Sequence, residues 1–288
     1  MSAIETLLAG LIDYAGLYPP AGLDMRAAVG NYLEYHSGKY GFALGRFIVD
    51  AARLEELRIA AGDAISEIRL SVIAPADERA LEFESMIRGG LNIESLEIKC
   101  AEPLTIRRIS EGIPIHVERY FEVPIQVGSS GALDAIASIG SRAKLRMGGI
   151  VPEAFPQPGE VVDWLELAAD RRIAFKATAG LHHPIRARHH LTYSSDSPFA
   201  TMHGFINFFS AAAFIPSGNR ESGNRENASS VLKEESTDAF RISSDAIAWR
   251  GHQWTTDQVR TIREEFFTSY GSCSFVEPLQ DLEALGWL

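Results

Sequence analysis

Cysteine is scarce in this chain, and long apolar runs are missing. The 288 residues contain two cysteines, Cys100 and Cys273, which are too few for a disulfide framework and lack the spacing of zinc ligands. No segment approaches the ~18 consecutive apolar residues that a membrane span needs. The N-terminal stretch has neither a basic region nor a small-residue cleavage site. We therefore expect a soluble, cytoplasmic protein with no membrane partner.

Basic residues are also in short supply. The chain has 27 Lys and Arg against 38 Asp and Glu, a formal net charge of -11. A nucleic-acid binder has a basic face or stripe, so no nucleic-acid partner is expected. A local group of cations can still attract a small anion. The 46% hydrophobic and 23% charged residues are ordinary for a globular protein, which excludes a mostly disordered or coiled-coil chain.

Short apolar runs alternate with amphipathic segments along the chain, which is typical of βα units around a parallel sheet. The predicted strands cover residues 12–18, 45–50, 67–74, 95–100, 114–123, 143–149, 173–179 and 272–276. The predicted helices cover residues 24–37, 51–61, 77–89, 103–111, 130–139, 158–171, 201–214 and 255–270. Eight strands alternating with eight helices at this length predict an α/β fold, a (β/α)8 TIM-type barrel.

The barrel is predicted to form a single domain over residues 1–288, with an irregular insertion before its last strand. Residues 217–227 read SGNRESGNREN, a tandem polar repeat, and we predict a flexible loop over 216–238. Residues 240–254 fit either a small hairpin or a barrel strand, so the position of the last strand stays open. An open doubly wound sheet is the alternative, but no G-x-G-x-x-G follows the first strand.

Charged side chains occupy strand positions that a parallel barrel usually fills with apolar residues. By the period-two rule they share one face on each strand. They are Asp50 on the second strand, Glu97 and Lys99 on the fourth, His116, Glu118 and Glu122 on the fifth, Lys144 and Arg146 on the sixth, and Lys176 on the seventh. Burying an unpaired charge is costly. We predict that these groups converge and compensate each other at the C-terminal mouth, where barrel enzymes have their active sites.

The densest polar segment is IAFKATAGLHHPIRARHH, residues 173–190. Within it, FKATAG resembles the K-T-S-T-G strand of class I aldolases of the deoxyribose-phosphate aldolase type, a (β/α)8 family. Ala177 and Thr178 stand where that family has threonine and serine. The resemblance implies a Schiff base between Lys176 and a substrate carbonyl. The family has this lysine on its sixth strand and a second lysine on the seventh, whereas Lys176 is predicted on the seventh and Lys144 on the sixth.

A combination of four segments looks like that of a group of uncharacterised bacterial proteins of similar length. The segments are LYPPA at residues 17–21, MGGIVPEAFP at 147–156, FKATAGLHHP at 175–184 and GSCSFVEP at 271–278. This likeness implies no particular reaction. The likeness suggests that these segments belong to one mouth.

The first functional hypothesis is an enzyme that acts on a small anionic carbonyl compound by aldolase or lyase chemistry. Lys176 would form the Schiff base, because burial and neighbouring cations can lower a lysine pKa. Glu118 or His182 would be the general acid or base, and Tyr18 a proton relay. The predicted substrate-binding residues are Lys99, Lys144, Arg146, Thr178, His183, Asp50 and Glu97. A purely structural interpretation is that Lys176 pairs with Glu118 or Glu97.

Two other functions remain open. The first hypothesis needs no cofactor, but a metal-dependent hydrolase or isomerase could bind a divalent metal through His182, His183, His116 and Glu118. The third interpretation is a non-catalytic ligand-binding barrel, since fold alone does not give function. A homo-oligomer is compatible with the sequence, which does not specify one.

Smaller features have structural interpretations. Trp249 and Trp254 would form either a lid or a satellite core. His203 and Asn207, four residues apart, predict a satisfied pair in the core. Cys273 is predicted to be a small buried hydrophobic residue near the last strand.

Overall fold

The computed structural model describes residues 1–76, 90–126, 130–215 and 223–288; the helix predicted over 77–89 lies outside them. The strands are β1 Ile12–Tyr14, β2 Leu44–Asp50, β3 Leu70–Ala74, β4 Ile93–Lys99, β5 Glu118–Glu122, β6 Arg142–Arg146, β7 Phe175–Thr178, β8 Ala187–His190, β9 Phe199–Met202, β10 Phe240–Ile242, β11 Ala246–Trp249, β12 His252–Thr255 and β13 Phe267–Ser272. The helices are α1 Ala3–Leu8, α2 Met25–Ser37, α3 Leu54–Ala61, α4 Pro103–Glu111, α5 Ser130–Ser138, α6 Pro158–Asp170, α7 Phe205–Phe214, α8 Asn224–Leu232, α9 Thr256–Glu265 and α10 Val276–Ala284. Short 3-10 turns lie at Gly41–Ala43, Ala51–Arg53, Gly62–Glu67, Pro152–Ala154 and Thr237–Ala239.

Eight strands close into a barrel in the order β1-β13-β7-β6-β5-β4-β3-β2. Every neighbouring pair is parallel. The predicted (β/α)8 barrel is therefore confirmed, and its first seven strands lie where the sequence predicted them. None of the described helices is long and apolar enough to cross a membrane.

The eighth barrel strand was predicted at the wrong place. It is Phe267–Ser272, and the preceding helix ends at Glu265, inside the segment predicted as a helix over 255–270. The strand carries Ser269 and Gly271 on its inward face, beside polar groups of the barrel interior. It therefore lacks the run of β-branched residues that marks a buried strand.

The predicted flexible loop over 216–238 contains helix α8, Asn224–Leu232, which buries Ala228, Val231 and Leu232. For residues 224–232 the prediction is therefore wrong, and residues 216–222, which include the first part of the polar repeat, lie outside the described residues. The helix forms because its three apolar side chains, spaced three and four residues apart, share one face.

The segment 240–254 forms a small antiparallel sheet, β10-β11-β12, which is separate from the barrel. Trp249 and Trp254 pack edge-on against Phe214, with ring centroids 6.0 Å and 5.0 Å away. The two tryptophans thus belong to a satellite core. The predicted helix over 201–214 begins only at Phe205, because residues 199–202 pair as β9 with β8 in a hairpin.

The main core lies between the barrel strands and the surrounding helices. Outward-facing strand residues such as Phe47, Leu145 and Phe175 are fully buried there, and Trp164 of α6 packs edge-on against Phe175 at 5.0 Å. The predicted polar pair is satisfied, since Asn207 donates to Val231 O and Glu234 O and His203 Nε2 lies 2.8 Å from Pro156 O.

A tight turn follows β7 and aligns the segment that enters the mouth. Ala179 and Gly180 both have left-handed backbone angles, with φ of 60° and 72°. A Cβ atom on Gly180 would lie 2.6 Å from Met147 O and 2.9 Å from Gly148 Cα. The loops after β6 and β7 therefore touch backbone to backbone, and this contact fixes where His182 enters the mouth.

Gly180→Ala is expected to lower the free energy of unfolding by about 2 to 4 kcal/mol, because it adds a steric clash to the left-handed strain. Gly140→Ala is the matched control: its φ is 61°, but no atom lies within 4 Å of the added Cβ, so about 1 to 2 kcal/mol is expected. Urea denaturation of both variants measures the difference. Equal losses would contradict the close backbone contact.

Candidate active site

A buried lysine lies at the centre of the barrel. Lys176 is 0% exposed, and its Nζ lies 2.5 Å from Asp13 Oδ2 and 2.5 Å from Glu97 Oε1. Burial alone would lower the pKa of Lys176, but the charges and hydrogen bonds of the two carboxylates raise the pKa well above its usual value. The ammonium is therefore protonated at neutral pH.

The charges continue in alternation towards the mouth. Lys144 Nζ lies 2.7 Å from Glu97 Oε2 and 2.8 Å from Glu122 Oε2, and Arg146 Nε lies 3.0 Å from Glu122 Oε1. We call this series the ion-pair chain: Asp13, Lys176, Glu97, Lys144, Glu122 and Arg146. Its three acids and three bases cancel, which confirms that the charges compensate each other and that Lys176 pairs with Glu97.

Burial is the largest single influence on the pKa of Glu97 and Glu122, but their cationic partners together outweigh it. Burial would raise the pKa of both carboxyl groups. Lys144 and Lys176 lower the pKa of Glu97, and Lys144 and Arg146 lower the pKa of Glu122. Both carboxylates therefore stay ionised inside the barrel.

Glu118 lies at the opposite end of the barrel. Its carboxylate bridges two guanidinium groups, with Oε2 2.8 Å from Arg46 Nη2 and Oε1 2.8 Å from Arg142 Nη2. His116 precedes the same strand and is exposed. The expectation that these two side chains reach the mouth is wrong, because the period-two rule gives the face of a strand residue and leaves its height along the barrel undetermined.

The metal-ligand set predicted from the sequence is therefore not brought together. His182 and His183 follow β7 at the mouth, whereas His116 and Glu118 precede or begin β5 at the other end. Within the described ranges, no group of three or more His, Cys, Asp or Glu side chains is arranged to hold a metal ion.

A cavity of about 670 Å³ opens at the C-terminal mouth of the barrel, which is within the usual size range of small-molecule sites. Among the predicted site residues, Tyr18, Glu97, Lys144, Arg146, Thr178, His182 and His183 line it. Apolar groups, including Ile48, Ile73 and Phe155, line it as well. Lys176 is buried beneath the cavity, Lys99 is exposed at the end of β4, and Asp50 ends β2; none of these three lines the cavity.

Three residues of this mouth form an arrangement that the sequence did not predict. Cys273 Sγ lies 4.0 Å from His182 Nε2, and His182 Nδ1 lies 3.1 Å from Glu277 Oε2. Cys273 follows β13, His182 follows the neighbouring strand β7, and Glu277 lies in the first turn of α10. We call these residues the thiol triad, since a nucleophile, a base and a group that orients the base are in line.

Electrostatics favour a charged form of the thiol triad. Burial would raise the pKa of Cys273, but His182, Tyr193 and the backbone of Ala21 lower it. Burial would likewise lower the pKa of His182, but Cys273 and Glu277 raise it to about 10. The charges therefore favour a thiolate beside an imidazolium, the reactive form of a cysteine.

Two tyrosine hydroxyls face this region. Tyr193 lies in the loop of the β8–β9 hairpin, with its hydroxyl 3.7 Å from Cys273 Sγ. The hydroxyl of Tyr18 is buried and faces the carboxylate of Asp50. Burial raises the pKa of both tyrosines, helped by Asp50 at Tyr18 and by Cys273 at Tyr193, so both are neutral donors at neutral pH.

Cys273 and Glu277 are the residues that sequence reasoning missed. A lone cysteine has no spacing signal, and the histidine that it contacts lies 91 residues away in the chain. The available signal was the segment GSCSFVEP, which begins at the end of β13 and continues into the helix that follows it.

The fold and the mouth define a (β/α)8 barrel with a thiol triad at the carboxyl ends of its strands. The sequence matches no protein-family model and no curated protein.

Lys176→Met is expected to lower the free energy of unfolding by about 3 to 5 kcal/mol at neutral pH, because it leaves Asp13 and Glu97 buried without their shared cation. The difference in unfolding free energy between wild type and variant should shrink as the pH falls. The wild type then loses the stabilising contribution of ionised Glu97, whose pKa is lowered in the folded state. The variant can protonate its unpaired carboxylates and so avoid burying their charge. Urea denaturation between neutral and acidic pH measures both effects. Lys39→Met, which removes an exposed ion pair with Glu283, is the control with little expected change.

Proposed function

We propose that the protein is a cytoplasmic enzyme that acts on a small anionic carbonyl compound through the thiolate of Cys273. The observation that carries this proposal is the thiol triad, with its 4.0 Å and 3.1 Å contacts, in the wall of the mouth cavity. Barrel enzymes have their active sites at this end. The reaction that these groups suit best is acyl transfer, with hydrolysis as its simplest form.

The first half-reaction forms a thioester. The Cys273 sulfur attacks the carbonyl carbon of a substrate R–CO–X, and the C–X bond breaks as His182 gives its proton to the leaving group. Tyr193 is well situated to hydrogen-bond the oxyanion, because its hydroxyl already lies beside the sulfur from which the negative charge moves. Water then cleaves the thioester and releases the acid and the thiolate.

Arg146 is the proposed binding group for the anionic part of the substrate. It ends the ion-pair chain, its side chain is 52% exposed, and its Nε alone is engaged, by Glu122. Its two Nη atoms donate no hydrogen bond to any described residue, and a guanidinium fork suits a carboxylate or phosphate.

The experiment that tests the proposal is alkylation of Cys273 by iodoacetamide from about pH 5 to about pH 10, in a Cys100→Ser background where it is the remaining cysteine. The pH midpoint of the rate is expected below the ~8.5 of a free thiol, and His182→Asn should raise it to that value or higher. The exposed His116 provides the control variant, His116→Asn, with no shift expected. A wild-type midpoint at or above the free-thiol value would contradict the proposal.

Charge selectivity is tested with iodoacetate, which has nearly the shape of iodoacetamide and carries a negative charge. The rate of alkylation by iodoacetate, divided by the rate with iodoacetamide, should be higher for Cys273 than for a free thiol. Arg146→Gln should lower this ratio about tenfold. Arg188→Gln is the control, because Arg188 packs over Phe199, 4.8 Å from its ring, and does not line the cavity. Equal ratios in both variants would remove Arg146 from the proposal.

A second candidate keeps the Schiff base and moves it to Lys144. This lysine lines the cavity, whereas Lys176 lies beneath it. The two lysines are register partners on β6 and β7, the strands on which the aldolase resemblance implies a lysine pair. Lys144 would first pass its proton to Glu122 or Glu97, and condensation with a carbonyl would then release water.

Borohydride trapping with small aldehydes, ketones and oxo acids separates the two candidates. Under the thiol mechanism both lysines stay unmodified, and aldehydes protect Cys273 from alkylation by forming a thiohemiacetal. A reduced adduct on Lys144, mapped by peptide mass, would instead favour the Schiff base. An adduct on Lys176 would mean that the buried amine is reachable, and no effect at any of the three residues would favour a non-catalytic binding barrel.

A further inference from the structure

Two consecutive histidines of the mouth are each held by a carboxylate of the same helix. His182 Nδ1 lies 3.1 Å from Glu277 Oε2, and His183 Nδ1 lies 2.7 Å from Asp281 Oδ2. Glu277 and Asp281 are four residues apart in α10, so their side chains share a face. The first pair belongs to the thiol triad. The second pair, which we call the His183–Asp281 dyad, has no part in it.

A third imidazole packs on this dyad. The rings of His183 and His189 are stacked at 3.4 Å with an interplanar angle of 9°, and both residues line the mouth cavity. The Nε2 atom of His189 is buried and has no hydrogen-bond partner among the described residues. Burial and the neighbouring His183 lower the pKa of His189 to about 4, so this ring is neutral at neutral pH.

The buried Nε2 of His189, which lacks a hydrogen-bond partner among the described residues, indicates that a small polar molecule binds there. Buried polar atoms in proteins nearly always have a hydrogen-bond partner, and a polar cavity wall of this kind suits a water molecule or a hydroxyl group. The unpartnered Nε2 and the carboxylate-bound imidazole thus mark one polar subsite in the cavity that Cys273 also lines.

We infer that the His183–Asp281 dyad is the general base for the water that cleaves the thioester, and that His189 Nε2 helps to hold this water. The inference rests on the proposed thiol mechanism. It gives the two half-reactions different bases: His182 serves the leaving group and the dyad serves the acceptor.

The step balances in atoms and protons. The water oxygen bonds to the thioester carbon while His183 takes a water proton, and the C–S bond then breaks to release the Cys273 thiolate. The acid product ionises, so two protons are left. One returns to His182, which had given its proton to the leaving group, and the other passes from His183 to solvent.

His182 is poorly suited to this second role. Its Nε2 faces Cys273 Sγ, where the acyl group is attached after the first half-reaction. His183 instead pairs with Asp281 and lines the cavity from which a water molecule approaches.

The test uses p-nitrophenyl acetate, which transfers an acetyl group to a reactive thiol and releases coloured p-nitrophenolate. In the Cys100→Ser background, stopped-flow absorbance gives the acetylation burst and intact mass spectrometry gives the decay of acetylated Cys273. His183→Asn and the isosteric Asp281→Asn are expected to leave the burst rate within about twofold and to slow deacetylation about 100-fold or more. His116→Asn, at the opposite end of the barrel, should change neither rate.

The outcomes separate this inference from the proposed function. Burst and deacetylation rates that both stay near wild type in His183→Asn and Asp281→Asn would overturn the role of the dyad and leave the thiol mechanism standing. Absence of acetylated Cys273 in the parent protein would overturn both. If His183→Asn does not fold, Asp281→Asn alone decides, because it removes the carboxylate charge without changing side-chain size.

Discussion

One ammonium group shared by two buried carboxylates determines how charges are arranged inside this barrel. Lys176 needs both Asp13 and Glu97, since each charge would be costly to bury alone. Glu97 in turn holds Lys144, and the alternation continues to Arg146 at the mouth. Barrel interiors are more often filled by layers of branched apolar side chains. Here the apolar packing lies between strands and helices, and the interior is held by charge.

The polar interior explains which parts of the fold the sequence revealed. The alternation of apolar runs and amphipathic segments predicted eight βα units, because the outward faces of strands such as β2 and β4 keep their apolar residues. It did not reveal β13, whose inward residues are small and polar. Helix α8 was not predicted because it begins inside the polar repeat, although Ala228, Val231 and Leu232 have helical spacing.

The candidate site could be predicted only in part for the same physical reason. Charges on neighbouring strands correctly indicated compensation, and His182 and Arg146 were correctly assigned to the mouth. The partners of these mouth residues could not be predicted from the sequence, because contacts such as that of His182 with Cys273 join loops that lie far apart in the chain. Glu118 shows the other limit, since alternation along a strand distinguishes inside from outside but does not distinguish the two ends of a barrel.

The thiol triad is assembled between the last two barrel strands, β7 and β13, and the helix that follows β13. Cys273 follows β13, the strand that pairs with β1 on one side and with β7 on the other. In an open or unfolded chain nothing lowers the pKa of this thiol, which then has the ordinary value of ~8.5 and is mostly protonated at neutral pH. Susceptibility to oxidation follows thiolate character. The thiolate of Cys273 is thus favoured only once β13 has paired with β7 and brought His182 beside the sulfur, so a chain that is still unfolded is less open to oxidation at this residue.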